Sequence, residues 1–391
     1  MSNAASRSDR GRPNLRSRWF EARNRMLGQP GFQRWASTFP LTRPIAHGRA
    51  SSLFDLCAGF VYSQILFACV ELKLLEKLAH GPLTAETLAA QCDLSPEAMK
   101  RLLDAAVALQ LAEKHGEGYG LGVHGAAFLG NPAVGAMIAH HAMLYRDLAD
   151  PVALLKGGKP DTELAKFWPY AVAEDAASLD ADAVGPYSQL MSTSLSLLAD
   201  DVLDAYPFVD HACLLDIGGG GGDFLVAAAN RRPDLRVILF DLPAVAARAE
   251  AKFERERLSG RATAIGGDFK RDPLPEGADL ISLVRVAHDL DDADLDALLA
   301  KIVAALPPGG ILLLAEPLAE VPGAEHVGAY FSMYLLAMQR GRPRSEAELT
   351  KRLYAAGFAR VRCVATARPM LTSLLVAQKS AGIRNRAVRR D

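Results

Sequence analysis

From residue 208 onward the chain alternates between short apolar runs and longer stretches with helical spacing. Apolar runs at 213–217, 235–240, 279–284 and 311–315 are separated by helical patterns at 222–231, 243–258 and 293–305. A further helix is expected at 345–356, with strands at 359–364 and 372–377. Strands alternating with helices bury both faces of a parallel sheet, so 208–380 reads as a Rossmann-like α/β domain. Upstream the rhythm differs. Residues 51–132 hold a short helix, a turn and a longer helix that Ser95 caps, with Pro96 at its first position. "EKHGEGYGLG" then reads as a small hairpin, which makes the unit a winged helix. Residues 133–207 look mostly helical, with breaks at Pro151, "GGKP" and Pro186. The stretch "LFDLCAGFVYSQILFACV" at 53–70 has about the length of a membrane span. Asp55, Ser63 and Gln64 interrupt it, so a buried helix is the expectation.

The first 50 residues form an arm. Between Arg18 and Ile45 basic residues alternate with Trp19, Phe20, Met26, Leu27, Phe32, Trp35 and Phe39. Two readings fit: an arm clasping a partner subunit, or an amphipathic surface in contact with anionic lipid. The net charge of −1 conceals this asymmetry, because residues 1–50 carry ten Arg against Asp9 and Glu21. The tail 381–391 is basic as well, so the body between is acidic. A winged helix could enter a DNA groove, but the long helix shows only Lys100 and Arg101, countered by Glu97 and Asp104. Without a cluster of positive charge there, nucleic acid is not an expected partner. Cys57, Cys69, Cys92, Cys213 and Cys363 are scattered, with no CxxC pair. Neither a disulfide framework nor a metal site is suggested, and a reducing cytoplasm fits.

The candidate chemistry begins at "LLDIGGGGGD", 214–223. No frame of this run gives GxGxxG, and the phosphate-loop pattern is absent. It reads instead Asp216, Gly218, Gly220, Gly222 at alternate positions. An acid at the strand end sits poorly beside pyrophosphate but suits a ligand with an ammonium group. S-adenosylmethionine is such a ligand: zwitterionic at one end, cationic at sulfur, without phosphate. Asp241, followed by Leu242 at the end of the second strand, can accept both hydroxyls of a ribose. Asp268 and Phe269 in "GGDF" are an acid and an aromatic able to bracket an adenine.

With these motifs in place the chain resembles the two-domain S-adenosylmethionine-dependent O-methyltransferases, over about 50–380. The likeness rests on "GPLTAETLA", "PEAMKRLLDAAVAL", "LLDIGGGGG", "FDLP", "GDF", "VRVAHDLDD", "LLLAEP" and "GRPRSEAEL". It implies a Rossmann-like catalytic domain, a homodimer built through the winged domain, S-adenosylhomocysteine as co-product, and no metal. By position it makes His288 the general base, and a neutral imidazole can take the proton that a hydroxyl loses during methyl transfer. It puts Glu316 and Glu348 beside that histidine, although Glu346 competes with Glu348 for the role. Arg285 is expected near the cofactor carboxylate. Leu290 stands where the family usually has Trp, which puts any stacking there in doubt. Tyr187, Met191, Met333 and Met338 are candidates for the substrate cleft, against the plainer reading of methionines at helical spacing as core.

The arm, with "FDLCAGFVYSQILFACVELKLLEKL" and "FWPYAVAEDAASL", resembles the branch of that family from purple photosynthetic bacteria that methylates the tertiary 1-hydroxyl of acyclic carotenoids. That likeness implies a lipophilic carotenoid acceptor and a cytoplasmic enzyme at the periphery of the photosynthetic membrane. A bacteriochlorophyll-type ring or a small phenol is the rival acceptor.

Overall fold

The computed structural model describes residues 15–157, 161–168, 195 and 198–381. The candidates Tyr187 and Met191 lie outside the described residues.

Helices α1 (Leu15–Leu27), α2 (Pro30–Thr38) and α3 (Arg43–Glu71) lead into the winged unit. That unit comprises α4 (Leu74–Leu78), α5 (Ala85–Cys92), α6 (Pro96–Ala108), the hairpin β1 (Ala112–His115) and β2 (Gly118–Leu121), and α7 (Val123–Leu129). Ser95 caps α6 as expected, its hydroxyl accepting from the Ala98 amide at 3.2 Å. Met99, Leu103 and Ala106 then fall on one face of α6 and bury against Leu74, Leu75 and Leu88.

The expectation of a buried helix at 53–70 is corrected. α3 packs on α6 and α8 along one side, while Leu53, Phe54, Leu56 and Phe60 on the other are exposed, Leu56 to 82 %. The sequence is apolar nearly all round, so one packed stripe leaves a second apolar face bare. By length and composition α3 could cross a membrane, yet its packing ties it to the winged unit.

Helices α8 (Pro132–Asp147), α9 (Pro151–Leu155) and α10 (Glu163–Phe167) join the two units. The catalytic-type domain follows as β3 (Cys213–Ile217), α11 (Asp223–Arg231), β4 (Arg236–Asp241), α12 (Pro243–Arg255), β5 (Ala262–Gly266) and β6 (Leu280–Val284). It continues with α13 (Asp292–Ala305), β7 (Ile311–Glu316), α14 (Glu325–Met338), α15 (Glu346–Ala356), β8 (Phe358–Val364) and β9 (Ser373–Lys379). The sheet order is β5-β4-β3-β6-β7-β9-β8. β5 through β7 run parallel, and β9 enters antiparallel between β7 and β8. β3, β6 and β7 are buried along their whole length, as strands covered on both faces must be. β5 has no counterpart among the expected strands. It pairs with β4 alone, and its mostly exposed residues lack a continuous apolar run. Strand order reverses direction between β3 and β6, the place where open α/β sheets leave a crevice at the carboxyl ends of their strands.

Candidate active site

The crevice collects five strand ends. Asp216 on β3 is fully buried. Its Oδ1 accepts from the Ser282 hydroxyl on the neighbouring β6 at 2.6 Å, a contact set by their paired register. Its Oδ2 is buried and lacks a partner among the described residues. Burial, reinforced by the nearby Asp241 charge, pushes this carboxyl up to about 7 despite the Ser282 bond. Over it runs the glycine turn. Gly218, Gly220 and Gly222 all have positive φ, which an L side chain rarely tolerates. A Cβ on Gly219 would stand 2.1 Å from Asp216 Oδ2, so bare backbone is needed beside that oxygen.

At the end of β4, Asp241 accepts from the amides of Gly220 at 2.8 Å and Leu242 at 2.7 Å. Burial lifts it to about 6. After β5, Asp268 is buried and closes its own turn, accepting from the Lys270 amide at 2.9 Å. Phe269 is half-buried against the sheet core. The turn thus brings Asp216, Gly218, Gly220, Asp241, Leu242, Asp268 and Phe269 to one edge of the sheet. The unpartnered oxygen of Asp216 and the unobstructed backbone beside it fit the ammonium end of S-adenosylmethionine.

Arg285 directly follows β6; it has φ of 58° and lies over the Phe331 ring at 5.7 Å. That departure from extended backbone turns the chain into a short 3-10 turn, Ala287–Asp289, carrying His288. His288 is buried, and its Nδ1 is hydrogen-bonded to Glu316 Oε2 at the end of β7. Glu316 Oε1 also accepts from the amides of Val286 at 3.0 Å and Ala287 at 2.7 Å. One carboxylate therefore fixes both the ring and the turn that bears it. On the other side Asp289 Oδ1 stands 3.1 Å from His288 Nε2. Burial disfavours the imidazolium, but Asp289 and Glu316 together outweigh it and raise His288 above the ordinary imidazole range.

The turn is braced from beneath by the segment between α14 and α15. The Arg342 amide donates to the His288 carbonyl at 2.9 Å. The buried Arg344 donates to the carbonyls of Ala287 at 2.7 Å and Leu290 at 2.6 Å. This is where Glu348 is found, and the expectation for it is corrected. Both its oxygens are taken by Arg342, with Arg352 at 3.6 Å, because α15 starts beyond the brace and points Glu348 back along it. Glu346 does not fill the vacancy. The second carboxylate at His288 is Asp289, adjacent in sequence.

The cleft at His288 is lined by Met137 from α8, Trp168, and Tyr330, Phe331 and Tyr334 from α14, together with the polar Arg285 and Asp289. Arg285 belongs to this wall as well as to the sheet edge. The methionine assignments are corrected too. Met338 is buried in the core between α14 and the connecting helices, and Met333 is half-buried outside the lining. The helix is the expected one, but its cleft-facing side carries the aromatic residues of "YFSMY". α8 secures them: His140 Nε2 meets the Tyr334 hydroxyl at 2.7 Å, and His141 Nε2 the Tyr330 hydroxyl at 2.6 Å. Burial holds His140 down at about 4 and lowers His141, so both imidazoles are neutral near pH 7. Among the described residues no group of three or more His, Cys, Asp or Glu is placed to hold a metal ion.

Comparison with known proteins identifies the family of the chain. An O-methyltransferase domain model covers residues 145–359, more than half of the chain, and an O-methyltransferase dimerisation domain model covers 54–131. The chain belongs to the O-methyltransferase family. Among curated members of this family, the demethylspheroidene O-methyltransferase of Cereibacter sphaeroides is 42 % identical over 90 % of this chain and 93 % of its own. The enzyme of the same name from Rhodobacter capsulatus is 41 % identical over 87 % of this chain and 85 % of its own. Human N-acetylserotonin methyltransferase, solved in complex with S-adenosylmethionine, superposes with a TM-score of 0.71 at 25 % identity. That similarity covers 85 % of this chain and 98 % of the human one. As an O-methyltransferase the protein uses S-adenosylmethionine, and the buried sheet edge is where such a cofactor fits.

Proposed function

We propose that this O-methyltransferase methylates the tertiary 1-hydroxyl of an acyclic carotenoid. The observation that carries the reading is a buried His288, fixed by Glu316, in a cleft walled by aromatic rings and Met137. A long apolar polyene matches such walls better than a polar acceptor does. The near end-to-end similarity to two demethylspheroidene O-methyltransferases supports the same acceptor class.

When bound, S-adenosylmethionine supplies an electrophilic methyl group on a sulfonium sulfur. Asp216 and the glycine turn would hold its methionine end, Asp241 its ribose, and Asp268 with Phe269 its adenine. His288 takes the acceptor proton on Nε2 as the new O–C bond forms and the C–S bond breaks. Glu316 on Nδ1 fixes the tautomer and stabilises the imidazolium that results. A tertiary alcohol holds its proton at least as tightly as water does, far above the range near ~6.5 where imidazole titrates. Proton transfer must therefore accompany methyl transfer, and a dry, preorganised site contributes more here than with a phenol.

The experiment is methyl transfer from labelled S-adenosylmethionine to detergent-dispersed 1-hydroxyneurosporene, a bacteriochlorophyllide and a catechol, offered together. Label in the carotenoid is expected. Label only in the ring compounds would keep the base and cofactor site and overturn the acceptor.

A further inference from the structure

The arm ahead of the dimerisation domain is almost wholly uncovered. Within 15–50, Ala36 is the one buried residue among those described. On α1, Leu15, Trp19 and Met26 are four and seven residues apart, so they fall on one narrow line of the helix. They are exposed at 85 %, 60 % and 43 %. Phe20 and Leu27 point elsewhere and are half-buried. Arginines border the line on both sides, Arg18 and Arg25 on one and Arg16 and Arg23 on the other. The Arg23 guanidinium lies over Trp19 at 5.3 Å and Phe20 at 4.8 Å. α2 adds an exposed Trp35 stacked on Phe39 at 5.1 Å. Across 15–50 seven Arg face a single acid, Glu21.

An apolar line flanked on both sides by guanidiniums suits the boundary of a charged bilayer. The indole rings can enter the headgroup–acyl region while the arginines reach back to phosphates. We infer that the arm is a peripheral membrane anchor, with α1 and α2 lying flat on an anionic lipid surface. A partner subunit would be a different occupant, but the match to the dimerisation model begins only at residue 54, after α1 and α2 have ended. The charge pattern favours lipid. Each arginine near an anionic surface adds attraction that salt screens. The inference rests on the arm alone and does not depend on the acceptor.

The test is flotation of the full chain with phosphatidylcholine vesicles, with and without a third of phosphatidylglycerol. Two of the three tryptophans, Trp19 and Trp35, sit in the arm, so their emission reports insertion directly. Binding should be at least ~10-fold tighter to anionic vesicles, with a blue shift, and should weaken at least ~10-fold as salt cuts the Debye length from ~10 Å to ~3 Å. The triple variant Arg16→Glu, Arg18→Glu, Arg25→Glu should lose that binding while keeping its oligomeric state in sedimentation. Equal binding to neutral vesicles, or unchanged binding by the variant, would overturn the anchor. So would dissociation of the variant into monomers, which would make the arm a clasp between subunits.

Discussion

His288 is held by groups with different duties, and substitution separates them. Glu316 touches the ring, so His288→Ala should cost at least ~100-fold in kcat with cofactor affinity kept, and Glu316→Gln should follow it in the same direction. Glu348 reaches His288 only through Arg342, so Glu348→Gln should cost less than ~10-fold; kcat and KM measured side by side check the ranking. A base flanked by two carboxylates must lose its extra proton before it can act. The acid limb of kcat/KM should therefore lie above the ordinary 6.5 of imidazole, and rate should rise with pH through it. Asp216 gives a second pH signature. With its carboxyl pushed up to about 7, the free site is protonated at pH 6. A cationic ligand favours the ionised form, so binding of S-adenosylmethionine should release a proton below that pH and tighten as pH rises toward it. Calorimetry in buffers of different ionisation enthalpy measures the proton, and Asp216→Asn should abolish it. Much of this was readable in sequence: strand-end acids and the histidine after an apolar run announce themselves by position. The direction of a side chain on a helix or brace is not announced. Glu348 and Met338 went astray for that reason, whereas Tyr330, Phe331 and Tyr334 were signalled only by aromatic residues at helical spacing.

At the level of elements, the brace between α14 and α15 explains why "GRPR" packs against the turn that carries His288, the proposed base. Gly341 has φ of 69°, and a Cβ there would come within 2.0 Å of the His288 carbonyl oxygen, which is backbone and cannot step aside. Gly341→Ala should therefore push the 3-10 turn away from β7. It should lower stability by about 1–3 kcal/mol, measurable by thermal unfolding, and reduce kcat more than cofactor affinity. The strands and helices of the α/β domain were legible because fully buried strands leave continuous apolar runs. β5 was not, since an edge strand exposed on one side leaves too short a pattern. α3 misled in another way: apolar composition reports that a face will be covered, without saying whether the same chain covers it.

For the whole molecule, the bare face of α3 sets the quaternary expectation. Leu53, Phe54, Leu56 and Phe60 form an exposed apolar patch beginning where the dimerisation domain begins. The chain should sediment as a dimer, and Phe60→Asp should shift it toward monomer while leaving the α/β domain's unfolding transition in place. The order of strands has a consequence on another clock. β9 lies inside the sheet, yet among the described strands it is the last to leave the ribosome. Until it emerges, β8 has no neighbour and β7 presents an open edge, with Glu316 at the end of that edge awaiting Ser373. The winged unit can finish folding during translation; the half of the protein that holds His288 must wait for its final strand, with an aggregation-prone edge exposed to whatever chaperones attend the nascent chain.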